Sequence, residues 1–254
     1  MRKEDFLTEL EAIAPKELAL PFDNVGLLVG TTRGEINRVL VALDCTDAVA
    51  REAVEFGADM VLTHHPLFFT PIKRILPDDP STKAAFTLIR NDIGLYAMHT
   101  NLDAADGGVN DVLCERLGIV DQKAIGDERI ARLGRLSRPQ SFGEFACGVE
   151  EKLDTRVKVC GDTNREIVRV AVLGGSGGGD VRLVSDCGAD AFVTGEIKHS
   201  QAIEAAELGL CVVSAGHYET EKVVMSTIIP RLQKKDNNVE YKLAQYDKTS
   251  LASL

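Results

Sequence analysis

Short, unbroken apolar runs alternate with amphipathic stretches along most of this chain. Such runs, bounded by Gly, Asp or Pro, read as strands buried on both faces, and the stretches between them as covering helices. Lys3 to Ile13 sets Phe6, Leu7, Leu10 and Ile13 at helical spacing, and Pro15 ends that helix. Asp23-Asn24 reads as a turn before a strand over Gly26 to Gly30. Arg38 to Asp44 is predicted as a strand, Thr46 as the cap of a helix from Asp47 to Phe56, and Gly57 as its left-handed terminator. Ala58 to Thr63 is the next strand, which makes a β-α-β crossover with parallel strands. A helix over Thr82 to Asn91, a strand over Leu95 to Met98 and a helix over Val109 to Leu117 follow. The pattern lapses from Ile119 to Asp127, which reads as a linker. Ile130 to Leu136 is a strand, Ser141 with Glu144 forms a capping box for a helix to Leu153, and Arg156 to Cys160 is a strand.

The first unit then returns. Arg38-Val39-Leu40-Val41-Ala42-Leu43 falls on Arg169-Val170-Ala171-Val172-Leu173-Gly174, and Gly57-Ala58-Asp59 falls without a gap on Gly188-Ala189-Asp190. Thr63 meets Thr194, and His64 and His65 meet Gly195 and Glu196. After the Pro-rich loop 67–81 the register resumes, with Gly94 to Met98 on Gly209 to Val213. One register shared by two strands and a Gly-Ala-Asp turn implies an internal duplication. The expected organisation is a first α/β half over 1–118, a strand-helix-strand connection over 119–166 and a second α/β half over 167–254.

Composition adds exclusions. The 254 residues carry a net charge of −10, which argues against general nucleic-acid binding. No apolar run is long enough for a membrane span. The acidic N-terminus is unlike a signal peptide, so a cytoplasmic protein is expected. The six cysteines are scattered, with no Cys-x-x-Cys, which suits reduced thiols. Metal ligands, if used, are then imidazole and carboxylate.

All five histidines follow predicted strands: His64 and His65 in Thr-His-His-Pro, His99 in His-Thr-Asn-Leu-Asp103, His199 after Gly-Glu196-Ile-Lys, and His217 in Gly-His-Tyr-Glu-Thr-Glu221. Ligands of open α/β sheets collect at the carboxyl ends of the strands. His217 and Glu221 are four apart at the start of a predicted helix (Glu219 to Ile229), so they share a face. Leu102 meets His217 in the duplicated register, so one half is expected to offer His64, His65 and Asp103 and the other His217 and Glu221. Five such ligands exceed the three usual for one catalytic zinc and suit two ions sharing a carboxylate. Zn, Fe, Mn, Co and Ni are all compatible with this donor set. Gly174 to Gly179, apart from Ser176, is all glycine. It reads as a turn that lets backbone pass near the site, with a phosphate cradle as the second reading. For Asp23 the favoured reading is turn chemistry.

Asp23-Asn24-Val25-Gly26-Leu27, Thr63-His64-His65-Pro66, His99-Thr-Asn-Leu-Asp103, Gly195-Glu196-Ile197-Lys198-His199 and Gly216-His217-x-x-x-Glu221 occur in this order. Together they resemble the GTP cyclohydrolase I type 2 family, also called YbgI-like or Nif-three-like, over nearly the whole chain. The resemblance implies two intertwined, pseudo-equivalent α/β repeats, with mixed sheets flanked by helices and a dinuclear metal site between the halves. It implies His64, His65, Asp103, His217 and Glu221 as ligands, with Glu221 the bridge. It also implies a toroidal homohexamer, and the short connection here implies the form without an inserted domain. Phe22 in place of Trp, Ser200 in place of a second His and a helix cut short by Pro230 are the departures.

The expected function is metal-dependent hydrolysis of a small molecule, with GTP, opened to formate and dihydroneopterin triphosphate, as the substrate the resemblance supplies. His99, Glu196 and His199 are the acid/base candidates, or residues that orient the ligands. Arg33, Lys73, Arg74, Lys198 and the glycine loop are the candidates for a triphosphate. The alternative is a non-catalytic metal-handling or regulatory scaffold.

Overall fold

In the computed structural model, described over residues 1–248, the chain clusters into two units. One comprises 1–105 and 225–248, the other 106–224. The first contains α1 (Lys3–Ile13), β1 (Gly26–Val29), β2 (Arg38–Ala42), α2 (Asp47–Phe56), β3 (Met60–Thr63), α3 (Lys83–Arg90), β4 (Gly94–Ala97) and α4 (Thr100–Ala104). The second contains α5 (Val109–Leu117), β5 (Ile119–Ala124), β6 (Arg132–Ser141), α6 (Phe142–Leu153), β7 (Lys158–Cys160), β8 (Glu166–Leu173), α7 (Val181–Asp186), β9 (Ala191–Thr194), α8 (His199–Glu207) and β10 (Cys211–Ser214). Helix α9 (His217–Gln233) opens in the second unit and runs on into residues of the first, where β11 (Glu240–Leu243) closes the sheet. The fold is α/β, with two mixed sheets flanked by helices.

The first sheet has the order β1-β4-β3-β2-β11. Its β4, β3, β2 and β11 run parallel, and β1 joins β4 antiparallel. The unbroken apolar character of β2, β3 and β4 follows from burial on both faces. Leu40, Val61 and Leu95 pack with Val49, Ala53 and Leu88 from the covering helices. Thr46 caps α2 by accepting from the Val49 amide at 3.2 Å, and Gly57 ends it at φ 70°.

The second sheet has the order β5-β6-β8-β9-β10-β7. Its β8, β9 and β10 are parallel, with β7 antiparallel on the outside of β10, as β1 lies outside β4. The two sheets thus share an arrangement in which β2, β3 and β4 correspond to β8, β9 and β10.

The repeated Gly-Ala-Asp has a physical reason. Asp59 Oδ2 accepts from the amides of Asn37 (2.7 Å) and Arg38 (3.0 Å), and Asp190 Oδ2 accepts from those of Val168 (3.0 Å) and Arg169 (2.7 Å). Each carboxylate therefore stitches the start of one parallel strand to the turn that opens the next. Asp59→Ala and Asp190→Ala each strand two amides. Each is expected to cost about 1–3 kcal/mol, read from urea unfolding midpoints. Full stability in either variant would show that the motif is not a fastener.

Three features differ from expectation. Ile119–Ala124 is the edge strand β5, not a linker, and pairs antiparallel with β6. Its alternation is weak because, of its residues, only Ile119 is buried. Pro230 lies inside α9 rather than ending it. Ile228 and Leu232 are both buried around it, and that packing outlasts the backbone hydrogen bond lost at proline. The units also do not follow the expected thirds. Residues 119–166 add β5, β6 and β7 to the second sheet, and residues from 225 onward cluster with the first unit. Among the described residues, no helix is long and apolar enough to cross a membrane.

Candidate metal centre

In the first unit the functional edge is built where β3 and β4 end. Pro66 follows the two histidines, so the chain leaves the sheet as soon as they are placed. The His65 amide donates to the Leu43 carbonyl at 2.9 Å, and the Thr63 hydroxyl donates to the His65 carbonyl at 2.8 Å. Both contacts hold the turn. His64 is fully buried. Its Nδ1 donates to the Met98 carbonyl at 2.8 Å, which leaves the lone pair on Nε2, 3.7 Å from Asp103 Oδ1. His65 Nδ1 lies 2.8 Å from Asp44 Oδ1. His99 Nδ1 lies 2.9 Å from Asp23 Oδ1. Nitrogen atoms of His64, His65 and His99 fall within 4.8 Å of one another.

Asp23 is more than a turn residue. Its side chain is 0 % exposed, and it accepts from His99 Nδ1, the Thr100 amide (3.0 Å) and the Thr100 hydroxyl. Burial pushes its carboxyl up, but those donors outweigh burial and hold it well below the usual carboxylate range. Asp247 lies in no motif of the sequence. Its carboxylate accepts from the amides of Leu43 (2.5 Å) and Asp44 (3.3 Å) and so fixes the turn that carries Asp44. Burial raises its pKa, and the charge of Asp44 raises it further. Nothing near Asp247 in the sequence marks it, because its partners lie some two hundred residues away. The Cys45 thiol is pushed up to about 12, first by burial and then by Asp44 and Asp247. It stays protonated, which agrees with an imidazole and carboxylate donor set.

The second unit presents His217 and Glu221 from the first turn of α9. His217 Nε2 is 3.1 Å from Glu221 Oε2, as spacing of four on a helix requires. Glu221 is 4 % exposed. Glu196, from the turn after β9, places Oε2 3.4 Å from His217 Nδ1 and accepts from the Ser176 hydroxyl at 2.8 Å. That hydroxyl, with His217 beside it, holds the Glu196 carboxyl below its ordinary value against the effect of burial. His199 opens α8 with its side chain exposed on the surface.

The glycine loop serves packing. A Cβ on Gly175 would lie 2.0 Å from Glu221 Oε1, one on Gly178 2.7 Å from the Glu196 carbonyl and one on Gly195 2.6 Å from the Gly175 carbonyl. The loop is pressed against the 195–197 turn and Glu221, so the reading as a close-passing turn holds. Its amides are also in use. Gly174 donates to Asn110 Oδ1 (2.8 Å) and Gly175 to the Thr220 hydroxyl (3.0 Å). Arg33 is not available to a triphosphate. It pairs with Asp59 and donates to the Asp92 carbonyl, at the end of β3 opposite His64.

Two α/β units, each carrying imidazole and carboxylate at the carboxyl ends of its parallel strands, define an α/β protein with a candidate metal site. The profile of Duf34/NIF3 (NGG1p interacting factor 3) matches residues 1–250. A Clostridium perfringens protein named GTP cyclohydrolase 1 type 2 homolog is 35% identical over 249 residues, covering 95% of each chain. A protein of the same name from Streptococcus pneumoniae is 36% identical over 227 residues, 86% of this chain and 85% of its own. Among solved structures, a Bacillus cereus protein related to NIF3 superposes with a TM-score of 0.92 at 26% identity, covering 100% of this chain and 99% of its own. Reduced HcgD from Methanocaldococcus jannaschii does so with a TM-score of 0.84 at 32% identity, covering 97% and 98%. The chain belongs to the Duf34/NIF3 family.

Proposed function

We propose that this protein is a metal-dependent hydrolase with two divalent ions, held by His64, His65 and Asp103 from the first unit and by His217 and Glu221 from the second, with Glu221 shared. The observation that carries the proposal is the orientation of the imidazoles. Within each unit the Nδ1 of every histidine in this set already faces an oxygen: the Met98 carbonyl, Asp44 or Glu196. Such contacts hold each ring in one orientation, the arrangement typical of metal-ligating histidine. The donor set therefore fits a divalent ion.

Bound ions supply Lewis acidity and a water of lowered pKa. The remaining work falls to the chain. Asp44 and Glu196 orient imidazoles. Glu196 also faces solvent and can take a proton at Oε2. His99, and more remotely His199, are the other proton carriers. The substrate class is a small molecule with a hydrolysable ring or ester, with GTP first among the nucleotides, on the strength of the relatives' names. In this reading the protein works in the cytoplasm as a toroidal homohexamer.

The test is to load the protein with Zn, Mn, Fe, Co or Ni and incubate it with GTP, phosphoesters and cyclic amides, following formate, phosphate and ring absorbance. Turnover that His65→Ala abolishes, together with its bound metal but not its fold, is expected. Full metal occupancy in His65→Ala would remove the ligand assignment. A metal-loaded protein inert across the panel would favour the scaffold.

A further inference from the structure

The described residues after β11 take neither helix nor strand, yet two carboxylates hold them in place. We propose that segment 244–248 is a clasp on the connection between β2 and α2. Through Asp44 it holds the His65 imidazole in its orientation, so that opening the clasp frees the ring and weakens the ion bound there. Asp247 and Glu52 are its positioning residues. The consequence for the ion rests on His65 being a ligand, as proposed above; the consequence for the ring does not.

The clasp is reciprocal. Ala244 continues the register of β11 by donating its amide to the Val41 carbonyl at 2.9 Å. Glu52, on α2, accepts from the amides of Gln245 (2.8 Å) and Tyr246 (3.1 Å) and pairs with Lys242 Nζ at 2.9 Å. Asp247 returns the contact by accepting from the amides of Leu43 (2.5 Å) and Asp44 (3.3 Å). The helix thus grips the backbone of the segment, and the segment grips the backbone of the turn that leads into the helix. Glu52 is 3 % exposed, and burying a carboxylate is costly unless charge-assisted hydrogen bonds offset it. Lys242 supplies a countercharge. The bonds to Gln245 and Tyr246 go instead to amides that no helix or strand satisfies.

The turn is the route to His65. Asp44 Oδ1 lies 2.8 Å from His65 Nδ1, and the Asp44 side chain is 47 % exposed, so close packing does not fix it. Its direction follows from its backbone. Asp247 holds that backbone on one side, and the His65 amide, donating to the Leu43 carbonyl at 2.9 Å, holds it on the other. His99 takes its orientation from Asp23, on a different segment, and serves as an internal reference.

The experiment uses the full-length protein. Without metal, long-range proton–nitrogen NMR reads the two imidazole nitrogens of His65, assigned by their loss in His65→Ala. Asp247→Ala is expected to move them and to leave those of His99 in place. The same variant should bind zinc roughly 10–100-fold more weakly in competition with a chromogenic chelator. Asp247→Asn keeps an acceptor oxygen and should restore both properties. A role confined to stability would lower the melting temperature without moving the His65 nitrogens. Glu52→Ala should repeat the result by opening the clasp from the other side, and Asp247→Ala carries the test if that buried substitution does not fold. Wild-type His65 signals in folded Asp247→Ala would overturn the inference and leave the two-ion hydrolase standing. So would moved signals with wild-type zinc affinity, where His65→Ala loses the ion. If His65→Ala keeps its metal, the ligand reading fails, and the His65 nitrogens still decide the clasp.

Discussion

Gly175→Ala is expected to strip metal from the His217–Glu221 pair while leaving the first unit's histidines untouched. The new Cβ would lie 2.0 Å from Glu221 Oε1 and 3.2 Å from His217 Nε2. The backbone cannot retreat. The Gly175 amide donates to the Thr220 hydroxyl at 3.0 Å, and its carbonyl accepts from the Glu196 amide at 2.8 Å. Glu221 is 4 % exposed, so its carboxylate has to move off the loop and out of register with His217 Nε2. Residue 175 also sits at φ 60°, which costs an alanine about 1–2 kcal/mol. Overpacking adds about 1–3 kcal/mol. Zinc titration and urea unfolding read the two effects separately. Gly179→Ala is the control, since a Cβ there meets nothing within 4 Å, and it should behave as wild type. Wild-type zinc content in Gly175→Ala would mean that this close approach does not shape the site.

The largest loss of stability is expected from Arg132→Ala. Arg132 is a charged side chain only 2 % exposed. Its Nε donates to Asp111 Oδ1 at 2.7 Å, and its Nη1 donates to the carbonyls of Arg129 (2.6 Å) and Ile130 (3.1 Å). The pair gains little over an apolar substitute, but removing Arg132 leaves the largely covered Asp111 carboxylate, 14 % exposed, without its cation. That loss typically amounts to about 3–5 kcal/mol. The Ile130 carbonyl also accepts from Asn110 Nδ2, and Asn110 Oδ1 receives the Gly174 amide. Removing the Arg132 side chain should therefore loosen the glycine loop as well. Denaturant melts of Arg132→Ala and of Arg132→Met/Asp111→Leu give the check. The double variant should recover much of the loss, since it buries no lone charge. A single variant within about 0.5 kcal/mol of wild type would contradict this account.

Much of the chemistry was legible in the chain because it is local. Thr-His-His-Pro places two imidazoles at a strand end by its own backbone rules, and His217 and Glu221 share a helix face by spacing alone. The Gly-Ala-Asp repeat exposed the duplication, and its carboxylates turned out to bind the same pair of amides in each unit. Edge pairing is not local. Ile119–Ala124 became a strand because β6 lies beside it, and no alternation in its own residues announces that. Pro230 stayed within a helix because the side chains around it are buried, which weighs more than one lost hydrogen bond.

An α/β protein of two related units, with histidines and acids at the carboxyl ends of its strands, is readable from the chain alone. Those properties follow from hydrophobic period, turn chemistry and register, which act over a few residues. What each imidazole faces is set by contacts that exist only in the folded chain. Asp23, Asp44 and Glu196 reach His99, His65 and His217 across gaps of some twenty to eighty residues, and Asp247 reaches the Asp44 turn across two hundred. An aspartate in a turn looks the same in sequence whether it closes that turn or orients a distant histidine. The difference lies in burial and in which strand ends converge, and both belong to the folded chain.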